Sequence, residues 1–265
     1  MDFGIRGKIA FVSGASKGVG RQVAQMLGHE GCHVIVAARG QEAVDDAVES
    51  IRQAGGSAIG VSADLTERHA VERAVEAGRQ AFGGMPDIAV NNVHGPGAGT
   101  LMDVTMQAFE QSFREIALSA VNLAQLVVPH MKEKRWGRIV SIGSSAAKEP
   151  PPELKHLLAN TVRASVVSLN KSLANELGPF GITVNTIGTG WIGSERMHDY
   201  VAKIAAEQHI DNEAQLAQIN SQIPVGRPGT PAEMAALIVF LCSQQAAYLT
   251  GTLIPVDGGM HRSAW

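Results

Sequence analysis

Seven short runs rich in Val, Ile and Ala punctuate the chain: KIAFVSG, HVIVAAR, SAIGVSADL, DIAVNN, GRIVSIGS, ITVNTIG and TLIPVDGG. Between them apolar residues recur at helical spacing, as in Val23, Met26 and Leu27, or Phe109, Phe113 and Ile116. Strand and helix in alternation predict right-handed crossovers and a mostly parallel sheet covered on both faces, the doubly wound, Rossmann-type α/β class, here with seven strands. The one long departure lies between Gly190 and Pro228, where Met197, Val201 and Ile204, then Leu216, Ile219 and Ile223, predict two extra helices. Open α/β sheets bind ligands at the carboxyl ends of their strands, so this insertion, residues 191–227, is expected to be a substrate lid. No composition shift or low-complexity segment divides the chain, and residues 1–265 are expected to form one domain.

Composition changes this picture mainly by exclusion. A net charge of -3 gives no electrostatic footprint for nucleic acid or an anionic membrane. The basic run KEKRWGR, residues 132–138, reads as a solvated helix end followed by a turn. The longest apolar run, AALIVFLC at 235–242, is too short to span a bilayer, and the start lacks a secretory pattern. Two cysteines, Cys32 and Cys242, make no disulfide framework, which suits a reducing cytoplasm. In HEGCH, Gly31 sits where a helix hands over to a strand, so His29 and His33 fall on different elements and no metal is expected.

The stretch SGASKGVG follows the first strand and opens the first helix, with Gly14, Ser16, Lys17, Gly18 and Gly20 around the turn. Glycine lets backbone N–H groups and a helix N-terminus approach a pyrophosphate closely. The GxxxGxG spacing resembles that of the short-chain dehydrogenase/reductase family, and further blocks fall into register from about residue 8 to 260. Asp64 in SADLT matches the residue beside the adenine, and Asn91 and Asn92 match the family's NNAG motif. PVGRPGTPAEMAALIVFL and YLTGTLIPVDGG are similar to the C-terminal third of bacterial 3-oxoacyl-(acyl carrier protein) reductase-like members. In GWIGSERM, Ile192 and Ser194 occupy positions that hold the nicotinamide carboxamide in relatives. At the end of the second strand an acidic residue would favour NAD; VAARG has Ala38 there, followed by Arg39, with Lys17 as a second cation. NADP(H) is therefore the expected cofactor, its 2′-phosphate taken by cations.

The resemblance implies a catalytic Ser, Tyr and Lys, usually with an Asn from the preceding helix. Ser144 aligns with the serine, but the lysine position falls on Arg163, the tyrosine position on Ala159 and the asparagine position on Ile116. The only tyrosines, Tyr200 and Tyr248, lack a lysine four residues on, and the segment from Ser144 to Ala159 is about two residues longer than usual, around PPPELKH. NNAG has become NNVHG, and the usual Pro-Gly is Thr189-Gly190. Arg163 can hold a ribose hydroxyl and stabilise a developing alkoxide. His156 is the expected proton donor, with Lys155 and His94 as other candidates.

These readings predict an NADP(H)-dependent oxidoreductase acting on a partly apolar carbonyl or alcohol. Two alternatives stand beside it: a catalytically silent dinucleotide-binding protein, and a lyase resembling halohydrin dehalogenases, which also replace the lysine by arginine but keep the tyrosine and lack the glycine-rich loop. The resemblance further implies a homodimer or homotetramer, paired through helices around 105–131 and 160–178, where Val166, Leu169 and Leu173 are suitably spaced.

Overall fold

The computed structural model describes residues 2–151 and 154–263. Each apolar run supplies a strand: β1 (Ile9–Ser13), β2 (His33–Ala38), β3 (Ser57–Ser62), β4 (Ile88–Asn91), β5 (Gly137–Ile142), β6 (Ile182–Thr189) and β7 (Leu253–Val256). The helices are α1 (Gly18–His29), α2 (Gln41–Gln53), α3 (Arg68–Phe82), α4 (Met106–Phe113), α5 (Ser119–Lys134), α6 (Leu157–Leu177), α7 (Glu195–Gln208), α8 (Asn212–Gln222) and α9 (Pro231–Leu241). The strands run parallel in the order β3-β2-β1-β4-β5-β6-β7.

Because side chains alternate across a strand, each central strand feeds two cores. Ala10 and Val12 of β1 and Val34 and Val36 of β2 join one core under α1, α2 and α9; Phe11, Ile35 and Ala37 join the other under α3, α5 and α6. The chain builds outward from β1 to β3 and then returns to lay β4 on the other side of β1. That reversal opens a crevice at the carboxyl ends of β1 and β4, which is where open sheets of this type bind ligands.

Helix ends obey local chemistry. Thr230 and Glu233 form a reciprocal capping box with Pro231 in the first turn of α9, and Thr105, Ser194 and Asp211 cap α4, α7 and α8. The insertion is the expected helical pair, α7 and α8. Its base is pinned by Gly193 N–H donating to the Gly229 carbonyl (2.7 Å) and Gly229 N–H to that of Trp191 (2.9 Å).

The basic run departs from its reading at one residue. Lys132 and Lys134 do end α5, and Arg135 turns the chain at φ 51, but Arg138 is only 1% exposed. Its guanidinium donates to the carbonyls of Ser243, Gly137 and Gly181 and lies over the Trp136 ring, which is how so large a cation is accommodated in a core. Both cysteines are buried and unpaired; burial pushes the Cys32 thiol up to about 12 and Cys242 higher still. His29 ends α1 and His33 begins β2, and no metal-ligating cluster occurs among the described residues. No helix among them is long and apolar enough to cross a membrane. In the extended PPPELKH segment, Pro152 and Glu153 lie outside the described residues.

Candidate active site

The glycine turn sits at the β1/β4 reversal and is braced from beneath. Ser13 Oγ accepts the Asn92 N–H (2.6 Å), and Asn92 Nδ2 donates to the Gly14 carbonyl (3.1 Å). Gly18 takes φ +55, a left-handed conformation that side chains resist, and a Cβ on Gly20 would collide with the Gly14 carbonyl oxygen. The helix that follows is left open: Lys17 caps α1 without a side-chain hydrogen bond, and its first turn holds no acidic residue. Free amides and the positive end of the helix dipole therefore face the crevice, the arrangement an anion such as pyrophosphate requires. The turn fits the expected dinucleotide.

Other expected cofactor residues line the same cleft, among them Ser16, Arg39, Asp64, Ile192 and Ser194. Ser62 Oγ donates to the Arg39 carbonyl (2.8 Å) and fixes the backbone at the end of β2. Asp64 Oδ1 accepts from both N–H and Oγ1 of Thr66, holding the carboxylate in a local turn. Ser194 Oγ caps α7 through the Met197 N–H (3.4 Å). Lys17 reaches across to Glu195 at the start of α7, Nζ to Oε2 3.0 Å, with both side chains about two-thirds exposed. Water screens that pair, so it contributes little to stability. The whole cleft measures about 1570 Å³, larger than the few hundred to ~1,000 Å³ usual for a small ligand and sufficient for a dinucleotide plus substrate.

At its inner end β5 delivers Ser144, half-buried, whose Oγ accepts the Ala146 N–H (3.2 Å) and keeps its own proton for a ligand. Arg163, from α6, donates Nη1 to the Ile142 carbonyl (3.0 Å) and lines the cleft beside Ala159. Burial, reinforced by the charge of Arg196, brings its pKa down to about 10, so the cation persists at neutral pH. His156 opens α6, and its Nε2 lies 2.8 Å from the Tyr200 hydroxyl of α7. The two rings tilt against each other at 5.3 Å, and Trp191 lies tilted against Tyr200 at 5.9 Å. Burial and the charge of Arg196 push the His156 pKa below its ordinary value, and burial raises that of Tyr200. Both are neutral near pH 7, so the phenol can donate to the imidazole. His94 also lines the cleft; partial burial and the charges of Arg196, Arg39 and Arg163 lower its pKa.

Three expectations are revised by these positions. Lys155 is exposed and does not line the cleft, because the chain alternates direction between it and His156. Of Met197, Tyr200, Val201 and Ile204, which in the sequence suggest a partly apolar ligand, Met197 and Tyr200 line the cleft, while Val201, with Met197, packs on Ile219 and Ile223 in the insertion's own core. Two helices standing apart from the sheet must bury their stripes somewhere. Val166 is likewise buried, against Ile116, Ala117 and Ala120, while Met106 (75%), Phe113 (40%) and Leu118 (42%) are the exposed large apolar residues of α4 and the turn after it.

Ile116, in the asparagine's place, is buried within a π-helical turn, Arg114–Leu118, between α4 and α5. One cleft residue has no mark in the sequence: Arg196 sits in a first turn where no motif singles it out, and only the density of aromatic and basic residues in WIGSERMHDY hints at it. Tyr200, which the sequence offers as a residue facing a partly apolar ligand, does line the cleft, but its partner His156 emerges only in the fold.

Comparison with known proteins places these features in context. A family model described as enoyl-(acyl carrier protein) reductase matches residues 14–261. The chain is 32% identical to a cyclohexanol dehydrogenase of Rhodococcus sp. (strain TK6), covering 97% of each. It is 31% identical to a 3-oxoacyl-[acyl-carrier-protein] reductase of Vibrio cholerae, covering 97% of this chain and 98% of that one. Among solved structures it superposes on L-sorbose reductase from Gluconobacter frateurii, complexed with NADPH and L-sorbose, with a TM-score of 0.93 and 30% identity, covering 99% and 100% of the two chains.

Proposed function

Because the chain belongs to the short-chain dehydrogenase/reductase family, we propose that it is an NADP(H)-dependent oxidoreductase interconverting a carbonyl and an alcohol through Ser144, Arg163 and His156. The observation that carries this reading is a single cleft with an uncapped helix N-terminus at one end and Ser144 beside Arg163 at the other. When bound, the nicotinamide supplies or accepts the hydride.

The chain's own residues would do the rest. Amides around Gly14, Ser16, Gly18 and Gly20 hold the pyrophosphate, with Asn92 keeping the turn in shape. Arg39 takes the 2′-phosphate, joined by Lys17 when it leaves Glu195; Asp64 stands by the adenine, and Ile192 and Ser194 by the carboxamide. The Ser144 hydroxyl hydrogen-bonds to the reacting oxygen, and Arg163 stabilises the negative charge that develops there. His156 hands the oxygen its one proton from Nδ1 while Nε2 takes one from Tyr200, and the phenolate regains its proton from solvent.

Oxidation of NADPH by a panel of ketones, quinones and acyl thioesters tests the reading. Tight NADPH binding without turnover on any of them would favour a silent dinucleotide-binding protein. Two substitutions probe the cofactor end by fluorescence titration. Gly20→Ala is expected to weaken NADPH by about 10- to 100-fold, since relieving its collision with Gly14 requires a backbone shift of ~1–3 kcal/mol. Arg39→Asp is expected to reverse the preference towards NADH, because a carboxylate accepts from a ribose hydroxyl and repels a phosphate. An unaltered NADPH affinity in either variant would remove that residue from the site.

We retain the homodimer or homotetramer as part of this reading; light scattering on the purified protein checks it, and a monomer would refute it. The two buried, unbridged thiols are consistent with a cytoplasmic location.

A further inference from the structure

Arg163 and Arg196 come from different elements, α6 and the first turn of α7, yet they meet over one point. A Cβ placed on Gly95 would lie 3.0 Å from Arg163 Nη2 and 3.1 Å from Arg196 Nη2. Two guanidinium groups brought together repel each other, and each feels partial burial. Among the described residues no carboxylate forms an ion pair with either one. The nearby carboxylate, Glu115, accepts instead from Gln111 Nε2 (2.8 Å). His94, which feels both arginines together with Arg39 and Glu115, has its pKa lowered and is neutral near pH 7. Two cations therefore line the cleft with no ion-pair partner among the described residues.

We propose that these two guanidinium groups, packed against Gly95 and lining the cleft, take a carboxylate of the substrate on their cleft side, which makes the substrate an oxo acid, or in the reverse direction a hydroxy acid. This rests on the oxidoreductase reading above and narrows it. A carboxylate accepts one hydrogen bond from each Nη2, while Nη1 of Arg163 stays on the Ile142 carbonyl, two residues before Ser144. Arg163 therefore stands between the carboxylate and the reacting oxygen, and the two groups belong on carbons close together. A small residue at position 95 is part of the design, since a side chain there would press on both guanidinium groups.

The test compares an oxo acid with its own ester. With NADPH, 3-oxobutanoate is expected to have a kcat/KM at least about tenfold above that of methyl 3-oxobutanoate, the difference lying in KM. Arg196→Gln is expected to bring that ratio towards one, with the loss falling on KM for the acid and not on the Kd of NADPH. Equal use of acid and ester overturns the proposal. So does an Arg196→Gln variant that weakens NADPH instead, which would assign Arg196 to the cofactor's pyrophosphate. If neither compound is reduced, the hydride reading fails for this pair, and calorimetry with malonate on the NADP⁺-loaded protein decides the anion site alone. About tenfold weaker malonate binding in Arg196→Gln supports it; unchanged or absent binding overturns it.

Discussion

Replacing Arg163 with methionine is expected to lower kcat/KM for carbonyl reduction by about 10²- to 10³-fold. The guanidinium is fixed before reaction by its bond to the Ile142 carbonyl, and burial leaves it charged at neutral pH. A preorganised donor aimed at developing negative charge is worth about 3–4 kcal/mol, and each 1.4 kcal/mol is tenfold in rate. Methionine preserves much of the side-chain volume, so circular dichroism and melting should change little while the rate collapses. Arg163→Lys should recover part of the loss: an ammonium restores the charge but cannot hold the Ile142 carbonyl and face the cleft with the same planar fork. Steady-state kinetics at saturating NADPH measure both. A methionine variant within threefold of the parent would move the chemistry away from this residue.

Substituting glutamine for His156 is expected to cost about 10²-fold or more, the contribution of a positioned proton donor, whereas Tyr200→Phe should cost about tenfold, one hydrogen bond. The pH profile separates them from residues that merely pack. His156 has its folded pKa below the ordinary value because burial and Arg196 disfavour the imidazolium. The ring is therefore neutral at pH 7; in alcohol oxidation it must take up the proton the substrate gives, and as pH falls through the depressed pKa it is already charged and cannot. The rate of alcohol oxidation should be flat through neutrality and drop on the acid side, and that acid limb should vanish in His156→Gln. Stability carries the same sign. The neutral histidine's contribution is fully present above its unfolded value of about 6.5 and is lost as pH falls below it towards the folded pKa, because the unfolded chain binds the proton more readily. An acid limb that survives in the glutamine variant would assign it to another group.

The strands, their mostly parallel sense and the glycine turn were legible in the sequence because they depend on local causes. A buried parallel strand must be a continuous apolar run, and KIAFVSG or HVIVAAR can be little else. A phosphate turn needs glycine at positions such as Gly18 and Gly20, where backbone conformation or a neighbouring carbonyl excludes a side chain. The departures at Ala159, Arg163 and Ile116 could also be read, since they are positions in a register. The buried Arg138 could not, because its solvation comes from carbonyls as distant as Ser243, more than a hundred residues away.

What the linear pattern determined, then, was the doubly wound sheet, the dinucleotide turn and the place where a phenol is missing. What the tertiary structure decided was which groups meet in the cleft: Tyr200 arriving at His156 from 44 residues on, and Arg196 meeting Arg163 against Gly95. The physical reason is one of range. Strand, helix and turn follow from interactions between neighbours in the chain, but a hydrogen bond or a shared charge between separate elements exists only once the α7–α8 insertion has formed its own apolar core and fixed which of its faces looks into the cleft.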